Sequence, residues 1–261
     1  MLGAVFFLAP FYIILRNAFM TTPEVTSPDW HWLPAQWSLE NFTALFTDPS
    51  VPMLGSLWNS FLIAIITAPV STLLASMAGY ALARIDVPGR GLVLAFIVGT
   101  LMLPSAVMAI PTFVVVGAMG GVDTMWGIIA PGLFNVLAVV LFRSFYLQFP
   151  VEIEEAGRID GLGHLGVYRR IILPSSTTMI ASLGVLSFIE AWNSFLWPLY
   201  IGQSPETWTV QIALSTYLTA QTINLPVLFA GTLIAILPLV GVFLVAQRYI
   251  VEGITSSGLK S

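Results

Sequence analysis

The chain has 261 residues, of which 57% are hydrophobic and only 8% charged, with a mean hydropathy of +0.91. A soluble domain carries roughly 25% charged residues, so the composition excludes a water-soluble globular protein and marks a polytopic membrane protein. The absence of cysteine excludes disulfides and thiolate metal sites, whereas the net charge of -4 decides little, because the placement of basic residues governs membrane topology.

Apolar runs fall at about 1–20, 54–83, 90–118, 126–147, 176–200 and 225–250. A transmembrane helix needs about 20 mostly apolar residues, and backbone polarity must be satisfied inside each span. The expected fold is therefore an all-α membrane protein with six transmembrane helices. The first run starts at residue 1 and lacks a basic region followed by a small-residue cleavage site. It reads as a span whose cytoplasmic leader is missing from the sequence, not as a signal peptide. Arg16 falls toward its outer end, where a long side chain can snorkel to water.

The segment 21–53 holds Trp30, Trp32 and Trp37 with five prolines. It reads either as an interfacial aromatic belt or as a docking surface for an extracytoplasmic protein. Arg84 and Arg90 lie between the second and third spans, and Arg143 ends the fourth. Arg158, Arg169 and Arg170 follow it, and Arg248 and Lys260 belong to the tail. The segments 21–53, 119–125 and 201–224 contain no Lys or Arg. By the positive-inside rule both termini of this multi-pass membrane protein are cytoplasmic.

Between the fourth and fifth spans lies a charged island, from Glu152 to Pro174. Pro150 and the acids Glu152, Glu154 and Glu155 suit a helix start. Ala156 and Gly157 give a small face that lets another backbone approach, and Gly161 and Gly163 end the helix. Glu155-Ala156-Gly157, three residues, Gly161, nine residues and then Ile171-x-Leu173-Pro174 have the spacing of the EAA loop of ABC-importer permeases. The alternative is a solvated loop whose charges merely keep it wet.

Other stretches carry the same likeness. Trp58-Asn59-Ser60 opens the second span and Tyr80-Ala81-Leu82-Ala83-Arg84 with Pro88-Gly89 closes it. Phe188-Ile189-Glu190-Ala191-Trp192-Asn193 is followed by Phe195-Leu196-Trp197-Pro198, and the tail runs from Gln247 to Lys260. The chain resembles the permease of a carbohydrate ABC importer, in particular the smaller permease subunit of maltose-type systems. Gly157 departs from that pattern by replacing the second alanine of the triplet, which weakens a helix by about 1 kcal/mol.

The resemblance implies a single permease domain over 1–261 with the type I importer fold and a coupling loop at about 148–175. Glu154, Glu155, Ala156, Gly157, Asp160 and Gly161 would engage an ATPase. The implied partners are a second permease subunit in a heterodimer, two ATP-binding subunits, an extracytoplasmic sugar-binding protein and the lipid bilayer, with no nucleic acid. ATP and Mg would be held by the ATPase subunits and no cofactor by this chain.

That division agrees with the residues themselves. Gly253 and Gly258 have phosphate-loop spacing, but Leu259 intervenes before Lys260-Ser261 and no helix follows. His31 and His164 lie in loops on opposite sides and cannot converge on one reaction centre, so no catalytic role is expected.

Glu190, Trp192 and Asn193 fall within the fifth run. A lone carboxylate at membrane depth costs about 2.5–3.5 kcal/mol on insertion scales. It must meet another helix, a partner or a polar solute. Sugars offer hydroxyls to Glu and Asn and apolar faces to Trp, so the three are candidates for the substrate path, with Asn135, Asn59 and Ser60 as weaker ones. At about 100° per residue Glu190 and Asn193 share a face and Trp192 does not. Gly79, Gly99 and Gly132 read as helix-packing positions. A self-sufficient secondary transporter or channel for a small polar solute remains the alternative at this point.

Overall fold

The computed structural model describes residues 2–86, 88–219 and 223–258, with side chains from 6 to 247 within those ranges. The side chains from Arg248 to Lys260, part of the tail likeness, lie outside the described set, as do residues 259–261 altogether. Helices are the regular structure of the described residues, joined by turns and irregular segments, and the one bridge among them pairs Leu218 with Ile223.

Each apolar run becomes helix. The first is α1 (Leu2–Ala18). Two short helices follow, α2 (Thr22–Thr26) and α3 (Glu40–Thr47). The second run is α4 (Met53–Arg84), whose 32 residues reach about 48 Å at 1.5 Å per residue. It is long enough to cross a hydrocarbon core of about 30 Å and emerge beyond it.

The third run is not one straight span. It splits into α5 (Arg90–Thr100) and α6 (Ser105–Ala118), bent by 105°. Pro104 stands at the N-cap of α6 and cannot donate to the turn before it, so the helix stops and restarts there. The fourth run gives α7 (Met125–Gly132) and α8 (Val136–Leu147), interrupted just after Pro131.

The charged island is almost wholly helical. It comprises α9 (Val151–Ile159) and α10 (His164–Ser175), and α10 meets α11 (Thr177–Trp192) at 79°. The fifth span was expected to run to residue 200 but ends at Trp192, and a separate α12 (Leu196–Ile201) follows. The short α13 (Val210–Ser215) and the long α14 (Leu225–Gly258) complete the order.

The chain packs as two compact units. One comprises 1–62, 122–125 and 193–242, and the other 63–121, 126–192 and 243–261. In the first, Asn59 Nδ2 donates to the carbonyls of Glu206 (2.7 Å) and Trp208 (3.0 Å), and Ser60 Oγ accepts from the Val210 amide at 2.8 Å. These side chains satisfy irregular backbone between α12 and α13, which an apolar environment would otherwise leave exposed. Arg16 does not snorkel. It is 7% exposed, donates to Asn17 Oδ1 and the His31 carbonyl, and lies 3.9 Å from the centre of the Trp30 ring. Its charge is thus met by a π face and two oxygens.

The core of the second unit is built from Ala75, Tyr80, Phe142, Tyr146, Tyr168 and Ile172 with their neighbours. Gly79 and Gly132 face other helices, as expected, while a Cβ on Gly99 would meet open space. Gly99 is therefore not a packing glycine within the described chain.

Candidate functional site

α9 begins after Pro150, with Glu152 and Glu154 in its first turn. Its end is a Schellman arrangement: the Gly161 amide reaches the Arg158 carbonyl and the Leu162 amide reaches the Gly157 carbonyl, both at 3.0 Å. Gly161 takes φ +85, a conformation that side chains with a Cβ disfavour. The helix stop expected from the glycines is therefore in place.

Helical geometry divides the island's residues between two faces. Glu154 and Gly157, three apart, point inward and are buried. Glu152, Glu155, Ala156, Ile159 and Asp160 are exposed, with Ile159 at 86%. The small face is thereby split. A Cβ on Gly157 would lie 2.6 Å from Ile171 Cδ1, so this glycine admits a side chain of α10, and only Ala156 is presented outward. The Ile171-x-Leu173-Pro174 sequence belongs to the same packing: Ile171 fills the space over Gly157 while Ile172 is buried beside it. Residues Tyr168–Ile172 widen into a π turn just before Pro174, which cannot donate an amide hydrogen.

Glu154 is 1% exposed, and residues of α4 meet both of its oxygens. Arg84 Nε lies 3.0 Å from Oε1, an ion pair without an aligned hydrogen bond, and the Tyr80 hydroxyl donates to Oε2 at 3.2 Å. The Arg84 guanidinium also donates to the Phe149 carbonyl, just ahead of α9. The Tyr80 ring packs against Tyr146 of α8 and Tyr168 of α10, at 5.9 and 5.3 Å between centroids. Hydroxyls of Tyr146 and Tyr168 share Ser76 Oγ at 2.6 and 2.9 Å. Four helices are thus joined around one buried carboxylate.

The residues of the fifth run separate. Glu190 is exposed on α11, and its Oε2 accepts from Asn135 Nδ2 at 3.4 Å. Asn135 also caps α8, its Oδ1 accepting from the Ala138 amide at 2.9 Å. Trp192 is 1% exposed and stacked on Phe188 with centroids 6.1 Å apart. Asn193 Oδ1 accepts from Gln211 Nε2 at 3.3 Å, at the edge of an open groove of about 580 Å³ that Phe195, Ser215 and Thr232 also line. Asn59 and Ser60 are occupied by the backbone staples of the first unit.

Sequence reasoning missed Gln211 as the companion of Asn193, because nothing in its spacing ties the two. It also missed the role of Tyr80 and Arg84, although their i,i+4 spacing puts them on one helix face. Among the described residues, no three His, Asp or Glu side chains gather in a group that could hold a metal ion.

Comparison with known proteins bears on this arrangement. Residues 71–256 match the family described as binding-protein-dependent transport system inner membrane component. The chain is 35% identical to the arabinooligosaccharides transport system permease protein AraQ of Halalkalibacterium halodurans, covering 87% of this chain and 81% of that one. It is 32% identical to the sn-glycerol-3-phosphate transport system permease protein UgpE of Brucella abortus, over 98% of this chain and 93% of that one. Its fold is similar to a chain in the crystal structure of a bacterial ABC transporter involved in the import of the acidic polysaccharide alginate. There the TM-score is 0.85 at 21% identity, covering 95% of this chain and 92% of that one.

Proposed function

The chain belongs to the family of binding-protein-dependent transport system inner membrane components, and on that premise we propose that it forms half of the transmembrane path of an ATP-driven importer for a sugar or oligosaccharide. The reading as a self-sufficient secondary transporter or channel gives way to that of an importer permease. Its partners are a second, non-identical permease, two ATPase subunits that hold ATP and Mg, and an extracytoplasmic sugar-binding protein. Both termini and α9 lie on the cytoplasmic side, where the arginines concentrate.

The observation that carries the ATPase contact is the outer face of α9. Ile159 and Ala156 stand exposed among Glu152, Glu155 and Asp160. A small apolar patch ringed by carboxylates suits a groove with an apolar floor and a basic rim. Glu155, Ala156, Asp160 and Gly161 form or shape that contact, while Glu154 and Gly157 hold the helix from within.

A neutral sugar is favoured by the groove beside Asn193. The Asn193–Gln211 bond leaves one amide NH2 and one amide carbonyl free, a donor and acceptor pair matched to vicinal hydroxyls. Phe195 supplies an apolar wall. The described residues that line the groove are neutral. The name of the arabinooligosaccharide relative supports the same class. Glu190 with Asn135 is a second polar pair proposed for the substrate path, while Trp192, buried and stacked on Phe188, supports α11 from within.

The test is purification of the native complex through a tag on this chain. Two ATPase subunits and a second permease should accompany it, and sugar-loaded binding protein should stimulate ATP hydrolysis. A chain that purifies alone and transports unaided would refute the reading.

A further inference from the structure

We propose that Glu154 is a positioning residue that latches α9 to α4, so that movement imposed on α9 reaches α4 directly and not only through the chain connection into α10 and α11. This rests on the importer reading above.

Glu154 is buried, whereas its neighbours Glu152 and Glu155 on the same short helix are exposed. Both of its oxygens face α4, from residues one helical turn apart: Oε1 pairs ionically with Arg84 Nε at 3.0 Å, without an aligned hydrogen bond, and Oε2 accepts from the Tyr80 hydroxyl at 3.2 Å. Arg84 also holds the Phe149 carbonyl. One guanidinium therefore fixes both the entry to α9 and its first turn. A packed hydrophobic side chain would serve stability as well as a buried ion pair, whose desolvation offsets much of its attraction. What the site adds is direction. An apolar contact tolerates sliding, whereas the Tyr80 hydrogen bond to Glu154 and the Arg84 hydrogen bond to the Phe149 carbonyl fix α9 in register with α4, with the ion pair between them. Behind it, Tyr80 packs on Tyr146 and Tyr168, and Ser76 binds both of their hydroxyls. The inner side of α9 thereby moves as one body with α4, α8 and α10.

The chain has no cysteine, so a single probe can be placed without background. Met77 on α4 is 46% exposed, and Met77→Cys can be labelled with a maleimide in the complete complex with its partner permease and ATPases. In this parent, trapping ATP with vanadate should change the labelling rate. With Glu154→Gln, the associated ATPases and basal hydrolysis should persist while the ATP-dependent change is lost. The swapped pair Glu154→Arg with Arg84→Glu should restore it.

An undiminished ATP response in Glu154→Gln overturns the latch and leaves the importer reading intact. So does a parent that carries ATPases yet shows no change at position 77. Equal losses of bound ATPase and of the labelling change would reduce Glu154 to a stabilising contact. A parent that copurifies with no ATPase overturns the importer reading and the latch together.

Discussion

Phe142 on α8 leaves no room for a side chain at Gly79 on α4: a Cβ there would lie 2.6 Å from the Phe142 Cβ. It would also fall 2.9 Å from the Arg143 amide nitrogen and 3.0 Å from the Val139 carbonyl oxygen. Two of these three atoms are backbone, so no rotamer change relieves the clash. Close approach through a small residue is how helices pack where lipid removes the hydrophobic drive between them. Gly79→Ala gains about 1 kcal/mol in helix propensity, but overpacking costs typically about 1–3 kcal/mol. With backbone on the opposing side the steric cost should win. The detergent-solubilised variant should melt a few degrees lower, at roughly 2–4 °C per kcal/mol for a chain of this size. An unchanged or raised Tm would show that α4 and α8 are not in contact here.

Asp123 makes stability depend on pH. It adopts φ +59, its amide donates to the Ile201 carbonyl, and its Oδ1 accepts from Thr207 Oγ1 at 2.7 Å and the Ser204 amide at 2.9 Å. The Thr207 hydroxyl first, and then the Ser204 amide, hold its carboxyl below the usual carboxylate range. A depressed folded-state pKa contributes stability that is present above the unfolded value of about 3.9 and is lost as pH falls through the folded one. Asp123→Asn keeps an acceptor and tolerates positive φ, so it should flatten the acid limb of a Tm-against-pH profile. Asp123→Ala should lower Tm at neutral pH as well. Identical acid limbs for the parent and Asp123→Asn would assign the loss to another carboxylate.

Hydropathy made the helical character and order of the apolar runs legible. Among the described residues, however, three helices are long and apolar enough to cross a membrane, or up to five if each bent pair is one span, against the six expected. The bends were not legible as bends. Pro104 signals a break, but its angle of 105° is set by packing that one-dimensional pattern does not carry. Within the charged island the glycines announced the helix end at Gly161, since φ +85 has few alternatives to glycine. The inward turn of Glu154 was hidden, because a carboxylate in a charged stretch reads as solvated until its partner is known. That partner, Arg84, is 70 residues away in sequence and was legible only as a topology marker. Asn59 and Ser60 likewise looked like polar groups awaiting a solute, whereas carbonyls and an amide between α12 and α13 occupy them.

Gly161 separates backbone strain from bulk. Nothing lies within 4 Å of a Cβ built there, so within this chain only the positive φ resists substitution. The left-handed conformation costs a residue with a Cβ roughly 1–2 kcal/mol. Gly161→Val should therefore unwind the end of α9 and lower sugar-stimulated ATP hydrolysis, while Gly161→Asn, which tolerates that conformation, should retain most of it. Equal losses in both would instead point to direct contact with the ATPase at this position.

Ile159 tests the docking face apart from the fold. At 86% exposure it contributes little to internal packing, so Ile159→Asp should leave the Tm of the isolated permease within about 0.5 kcal/mol of the parent in stability terms. Glu155→Lys, also exposed, should behave alike. Both should reduce the ATPase recovered with the purified complex and the stimulation of hydrolysis. Full recovery of ATPase with Ile159→Asp would move the contact off this face.

The groove beside Asn193 offers the sharpest test of where the solute passes. Asn193 and Gln211 are both on the groove wall and bonded to each other, so each single change to alanine removes a groove-facing amide and frees the other to rotate. If the pair contacts sugar as a unit, Asn193→Ala and Gln211→Ala should each lower uptake. The double variant should then be little worse than either single one, because coupled groups are not additive. The measurement is uptake into vesicles of a labelled sugar that the binding protein retains, normalised to assembled complex, beside basal ATP hydrolysis, which should stay at the parent level. Glu190→Gln, whose partner Asn135 also caps α8, should show a smaller loss of uptake. Uptake that falls only in step with the amount of assembled complex would make the Asn193–Gln211 bond a helix-to-helix contact and place the substrate site in the partner permease.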